Sequence, residues 1–341
     1  MPALTRLLTL LHVSDLHVGD IDPSSGDALI SKAFGKLVSN STWFDGLLGH
    51  HSRGLEHLEK FWGELRRTDA EAKLVVSGDV TRCGGTVELD NAESFLSAKL
   101  SLPVGQIGLG VATWRDHTIP GNHDHWPGNA RIFGGPNPAV VPRLIVPNPT
   151  VQVLKSGGKT VQLININTDA GVRPNGFQRI FGIGEFRREL ANVKVILSGM
   201  PEFDVRVLLM HHSWHKKGLL RISRGSRAAL AQFLDQENIH IVLTGHVHDP
   251  AVVRFAPPGT KWTVTECRCG TTTQMDKMAY DAKTLFGHFP RRPDWPSNSL
   301  LVHRLFADSA GKLFWRVNTY VRLRSGFTDM GKKGMKDIPI P

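Results

Sequence analysis

The 341-residue sequence predicts an α/β fold, a largely buried sheet with helices on its faces, and three observations carry that reading. Short runs rich in Val, Ile and Leu recur along the chain and end abruptly in polar residues, as strands buried on both faces do. Amphipathic helical patterns precede two of those runs, and such alternation of helix and strand marks sheets covered by helices. One after another, the runs also stop at Asp, Asn or His, at the strand ends where ligand sites gather in open α/β sheets.

The first run, residues 7–13, is too short to cross a bilayer and ends in Ser14-Asp15 rather than a small-residue cleavage site, so it reads as a strand. Residues 19–52, with Trp43 and Phe44, exceed what a simple connection needs and read as an insertion, either a lid or a surface helix. Leu55, Leu58, Phe61, Trp62 and Leu65 recur at helical spacing before a strand at 73–76, with His50, His51 and His57 as solvated residues in or beside that helix. Residues 115–119 form a further element before Pro120. Residues 128–150 carry Gly134, Gly135 and five prolines and read as an irregular loop. Residues 151–166 read as a hairpin turning at Ser156-Gly157-Gly158-Lys159. A strand at 205–210 follows, then a helix through Ala228, Leu230, Phe233 and Leu234 that leads to a strand at 239–243. The last third holds candidate antiparallel strands at 251–255, 261–265, 300–305 and 313–317. Residues 325–341 are polar and rich in Gly, Lys and Pro, and read as a flexible basic tail behind one domain spanning 1–324.

Subtracting 31 acidic from 41 basic residues leaves a net charge of +10, and 40% of residues are hydrophobic, which excludes an acidic, solvating disordered chain. The surplus points to anionic partners (nucleic acid, an anionic membrane or a phosphorylated substrate) without choosing among them. Cys83, Cys267 and Cys269 are odd in number and lack paired spacing, so neither a thiolate zinc site nor a disulfide framework is expected. They read as packing thiols in a cytoplasmic protein.

Chemistry concentrates where the strands stop. The runs lead into Asp15-Leu16-His17, Gly78-Asp79, Pro120-Gly121-Asn122-His123-Asp124, His211-His212 and Gly245-His246-Val247-His248. Carboxylate, amide oxygen and imidazole are the donors of divalent Mn, Fe, Zn or Co. In an extended segment residues i and i+2 point the same way, so Asp15 with His17, and His246 with His248, can each present two donors to one place. Gly78, Gly121 and Gly245 stand just before donors, where bare backbone turns tightly.

Asp15-x-His17, Gly78-Asp79-(x)4-Gly84, Gly121-Asn122-His123-Asp124, His211 and Gly245-His246-x-His248 resemble, in order, the five-block signature of calcineurin-like metallophosphoesterases, from about residue 8 to 249. The resemblance implies a four-layer α/β/β/α sandwich around two divalent transition ions, Mn, Fe or Zn. It implies that Asp15, His17 and His248 hold one ion, that Asn122, His211 and His246 hold the other, and that Asp79 bridges them. Of the adjacent His211 and His212, the family pattern favours His211. A hydroxide shared by two such ions would attack phosphorus in line. His123, beside Asn122 but not a ligand in the pattern, is the candidate general acid, and Asp124 would orient His123 or a ligand histidine.

His125, Trp126 and His212 are candidates to face the substrate. His215, Lys216, Lys217, Arg221, Arg224 and Arg227 make either an anion funnel or a solvated basic face. The implied activity is hydrolysis of a phosphodiester or phosphomonoester in a small organic phosphate. The bare signature is similar to that of class III cyclic-nucleotide phosphodiesterases, which makes a cyclic nucleotide or a glycerophosphodiester the first substrate to test. Two alternatives stand beside it. One is a nuclease of the same superfamily, favoured by the charge but lacking a dedicated nucleic-acid-binding region after residue 325. The other is a metal-free scaffold, against which every ligand position is filled. No membrane partner is expected, and the oligomeric state stays open.

Overall fold

A computed structural model describes residues 4–29, 49–126, 139–144, 149–172, 182–217, 221–275 and 298–341. Its strands are β1 (Thr5–Val13), β2 (Lys73–Val76), β3 (Leu100–Leu102), β4 (Gly105–Ile107), β5 (Thr150–Ser156), β6 (Lys159–Asn165), β7 (Val205–Leu209), β8 (Ile241–Thr244), β9 (Ala251–Phe255), β10 (Val264–Arg268), β11 (Ser299–Ala307), β12 (Leu313–Leu323), β13 (Gly326–Asp329) and β14 (Met335–Pro339). The helices are α1 (Ser52–Thr68), α2 (Thr86–Ser97), the single turn α3 (Val141–Leu144), α4 (Arg187–Ser198) and α5 (Arg224–Gln236). One six-stranded sheet runs β13-β12-β11-β1-β2 with β14 also on β12, a second runs β5-β6-β7-β8-β10-β9, and β3 and β4 form a separate hairpin.

Strand alternation explains the continuous apolar runs. Leu11 and Val13 of β1, with Leu74 and Val76 of β2, pack against α1 and α2, while Leu8, Leu10 and Val75 face the other way. There they meet Val205, Val207 and Leu209 of β7 and Ile241 and Leu243 of β8 in a core between the two sheets. The opposite faces of β7 and β8, through Leu208 and Val242, pack against α4 and α5. Helix α1 buries Leu55, Leu58, Trp62 and Leu65, each contributing about 1.5–3 kcal/mol. It begins at His51, whose ring accepts the Arg53 N–H, and Ser223 caps α5 in the same way through the Ser226 N–H.

Four expectations need correction. The element at 115–119, expected to end as the strands do, is a 3-10 turn at Trp114–His117 followed by one rung, with the Ile119 N–H donating to the Val76 carbonyl at 3.1 Å. Pro120 has no N–H with which to continue a ladder. The strand expected at 261–265 begins at Val264 and lies parallel to β8, antiparallel only to β9.

The tail at 325–341 is no loose end, and a boundary at 324 would cut through a sheet. β13 and β14 both pair with β12, Ile338 and Ile340 enter the inter-sheet core, and Asp337 accepts two hydrogen bonds from Arg316. His50 is buried rather than solvated, accepting the Gly19 N–H at Nδ1 and donating to the Gly26 carbonyl from Nε2. Most of the 19–52 insertion, including Trp43 and Phe44, and most of 128–150 lie outside the described residues.

Candidate metal centre

Parallel pairing of β1 with β2 and of β7 with β8 brings four loops to one edge. The first two are laced together: the Asp15 N–H donates to the Gly78 carbonyl and the His17 N–H to the Asp79 carbonyl, each at 3.0 Å. Asp15, His17, Asp79, His246 and His248 have φ between 49° and 69°, so five of the six non-glycine residues with positive φ among the described residues lie here. That left-handed backbone is disfavoured by about 1–2 kcal/mol per residue. The donors are therefore aimed by tight turns and not by the strand alternation expected from sequence. Gly78 has φ 100°, and a Cβ there would stand 2.5 Å from His211 Nδ1. At Gly245 a Cβ would lie 1.8 Å from Ser14 Oγ.

Three overlapping groups of donors can hold metal, with the ligand atoms in each within 4.8 Å of one another: Asp15, His17 and His248; His17, Asp79 and His123; and Asp79, His211 and His246. Asp15 Oδ1 lies 3.1 Å from His248 Nε2 and 3.9 Å from His17 Nε2. Asp79 Oδ2 lies 3.3 Å from His211 Nε2 and 4.0 Å from both His17 Nε2 and His123 Nε2. Asn122 Oδ1 is 3.2 Å from His211 Nε2.

Imidazole nitrogens face one another at 3.1 Å between His246 and His211 and at 3.4 Å between His17 and His248. Buried His17 Nδ1 and His246 Nε2 have no hydrogen-bond partner. Facing lone pairs repel unless a proton or cation lies between them, so this donor set fits divalent transition ions.

The charge states agree with that fit. Burial alone would raise both carboxyls, but His248 holds Asp15 below its ordinary value and His211 holds Asp79 well below. Burial pushes His17 down to about 3 and His246 well below its usual value, leaving both neutral. His211 goes the other way, to about 10, because against the burial penalty stands the Asp79 carboxylate.

The profile of the calcineurin-like phosphoesterase family matches residues 8–250. The chain belongs to that family. Among solved structures it is similar to a dimetal phosphatase from Danio rerio (12% identity, 98% of this chain and 99% of that one, TM-score 0.53), which shows a shared fold. Weaker similarity extends to GAP50, the anchor in the inner membrane complex of Plasmodium (14% identity, 99% and 90% covered, TM-score 0.45). It also extends to a putative 5'-nucleotidase from Staphylococcus aureus (15% identity, 98% and 54% covered, TM-score 0.44). Among curated proteins no sequence match is found. The family makes the chain a phosphoric ester hydrolase of a group that normally binds divalent metals. No described helix is long and apolar enough to cross a membrane.

In this phosphoesterase the two adjacent histidines separate cleanly. His211 donates from Nδ1 to the Ser77 carbonyl at 2.7 Å and turns Nε2 to the centre, whereas both nitrogens of His212 are engaged elsewhere, with Thr168 Oγ1 and the Gly182 carbonyl. His123 donates from Nδ1 to the Arg82 carbonyl at 2.7 Å, and its ring stacks on Trp126 at 4.0 Å. Asp124 orients neither His123 nor a donor histidine. It accepts the Val80, Thr81 and Gly121 N–H groups and the Thr81 hydroxyl, fastening the Asp79 loop to the Asn122 loop. Donors crowded around a buried carboxylate at a loop junction decide that role, which spacing does not reveal.

Sequence reasoning missed the loop after β6, where Asn167 Oδ1 lies 3.1 Å from His125 Nε2 and Thr168 meets His212. The strand-end rule that found the other loops would have found it. In the basic cluster, Arg227 covers Trp214 and donates to its carbonyl, and His215 lies 3.6 Å from Glu266, whereas Lys217, Arg221 and Arg224 are exposed.

Proposed function

We propose that this phosphoesterase hydrolyses a small organic phosphodiester, a cyclic nucleotide or glycerophosphodiester, at a centre of two divalent transition ions. In this reading Asp15, His17 and His248 hold one ion, Asn122, His211 and His246 the other, and Asp79 both. The placement of Asp79 supports it: a single carboxylate oxygen stands 3.3 Å from His211 and 4.0 Å from His17, one from each donor set. Bound ions of this kind supply positive charge to the phosphoryl oxygens and an acidified solvent nucleophile.

The chain's own groups do the rest. The Ser77 carbonyl fixes which nitrogen of His211 faces the centre. His123 keeps Nδ1–H on the Arg82 carbonyl, so the proton it gives a leaving alkoxide sits on Nε2. Burial holds the His123 pKa down, and a bound phosphate anion beside Nε2 pushes it back up, so the ring becomes an acid chiefly when substrate is present. Trp126 keeps water from one face of that ring.

The test is a hydrolysis panel with Mn(II): bis(4-nitrophenyl) phosphate, 4-nitrophenyl phosphate, cyclic AMP and single-stranded DNA. The diesters should turn over faster than the monoester, and Asp79→Asn should abolish hydrolysis and lower bound Mn(II). Preferential cleavage of DNA would replace this reading with a nuclease. No Mn(II) binding and no turnover would replace it with a scaffold.

A further inference from the structure

Between the two sheets, in a layer rich in Leu, Val, Ile and Cys, four polar side chains stand in a single hydrogen-bonded file. Trp315 Nε1 donates to His303 Nδ1 at 3.1 Å, His303 Nε2 meets His12 Nδ1 at 3.3 Å, and His12 Nε2 meets Ser77 Oγ at 2.8 Å. All four residues are 0% exposed. They follow the order of the sheet, from β12 through β11 and β1 to the end of β2.

An indole N–H can only donate, and this forces the direction of the whole file. His303 accepts at Nδ1 and so carries its proton on Nε2. That proton points at His12 Nδ1, which places the His12 proton on Nε2 and aims it at Ser77 Oγ. Burial pushes His12 to about 3 and His303 well below its ordinary value, so each ring keeps one proton. Buried polar groups in an apolar layer are tolerated only when partnered, and here the indole and both nitrogens of each imidazole are partnered. The file ends at the metal-centre loop, because the peptide carbonyl of Ser77 accepts the Nδ1–H of His211.

We propose that Trp315, His303 and His12 are positioning residues, a one-way file that fixes Ser77 and through its carbonyl holds His211 with Nε2 turned to the centre. This rests on His211 being a metal ligand. The outer hydrogen-bond partner of a metal-bound histidine is worth about 10–100-fold in metal affinity. The file acts one residue further out, so breaking it should weaken Mn(II) about three- to tenfold at the ion shared by Asn122, His211 and His246. The other ion should be unchanged.

Two measurements test it. Two-bond 1H–15N correlation on the metal-free wild-type protein should find His12 and His303 protonated on Nε2 alone at pH 7; a proton on Nδ1 of either ring would overturn the proposal. Two-site calorimetric titration with Mn(II) then compares wild type, Trp315→Phe, Ser77→Ala and the double variant. Each single change should weaken one ion and spare the other, and the double variant should be no weaker than the weaker single, since both break one file. A purely structural role would lower the melting temperature and leave the ratio of the two affinities unmoved. Ser77→Ala, which keeps the carbonyl, serves alone where Trp315→Phe does not fold. If the wild type binds no Mn(II), the ligand reading fails and the proposal with it. If the wild type binds two ions and the variants match it, the proposal alone fails.

Discussion

His211 Nε2 lies 3.3 Å from Asp79 Oδ2, and against the penalty of burial that carboxylate lifts the imidazole to about 10. An ion bound at Nε2 must displace the proton held there. At pH 7, about three units below that value, removal costs on the order of 4 kcal/mol at 1.36 kcal/mol per unit. Apparent Mn(II) affinity at this position should therefore rise about tenfold per pH unit from 7 to 9 and level off near 10. Calorimetric titration in buffers of different ionisation enthalpy should count about one proton released by the ion that takes His211. His17 and His246 are already neutral and should release none.

The same proton stabilises the metal-free fold. Its folded pKa lies above the unfolded value near 6.5, so the stabilisation is complete below pH 6.5 and is lost as pH rises through about 10. Metal-free protein should melt lower at pH 10 than at pH 7, and Mn(II) should reduce that difference. A proton count of zero, or an affinity flat between pH 7 and 9, would refute the assignment of Nε2 as both the protonated and the metal-binding atom.

Other variants probe neighbouring groups. His123→Ala should leave the bound-metal count unchanged and slow esters with poor leaving groups most; equal slowing of 4-nitrophenyl and alkyl esters would remove its acid role. At Gly121 a Cβ would stand 2.2 Å from Asp79 Oδ1, so Gly121→Ala should destabilise by about 1–3 kcal/mol and displace that carboxylate, read as lowered melting temperature with lost Mn(II) binding. Asp124→Asn replaces an acceptor of four hydrogen bonds with a group that presents an N–H to some of the same donors. Urea denaturation should show a loss of about 2–4 kcal/mol from those unpaired buried donors.

What was legible in the sequence is what is local. Each donor block needs only a few residues at the end of an apolar run. The runs themselves are continuous because Leu74 and Val76 face α1 and α2 while Val75 faces the second sheet. Convergence of Asp15 with His17 followed from spacing, but the structure achieves it through left-handed turns at φ 51° and 49°, which spacing cannot distinguish from strand alternation.

Features that depend on distant partners leave no such local mark. Residues 325–341 look like a polar tail until β12 supplies an edge for β13 and β14, and Ile338 and Ile340 find the inter-sheet core. His12 looks like a polar interruption in the first apolar run. It is tolerable there only because it meets His303, 291 positions away, and Ser77, 65 positions away. The donor-bearing loops therefore declare themselves by composition, while the groups proposed to hold them in register are spread over β1, β11 and β12, where His12 and His303 each look like an isolated exception to hydrophobic patterning. Such exceptions are costly singly and tolerable together. A lone histidine within an otherwise apolar strand is thus a reason to look for a polar partner on the adjacent strand before assigning it to solvent.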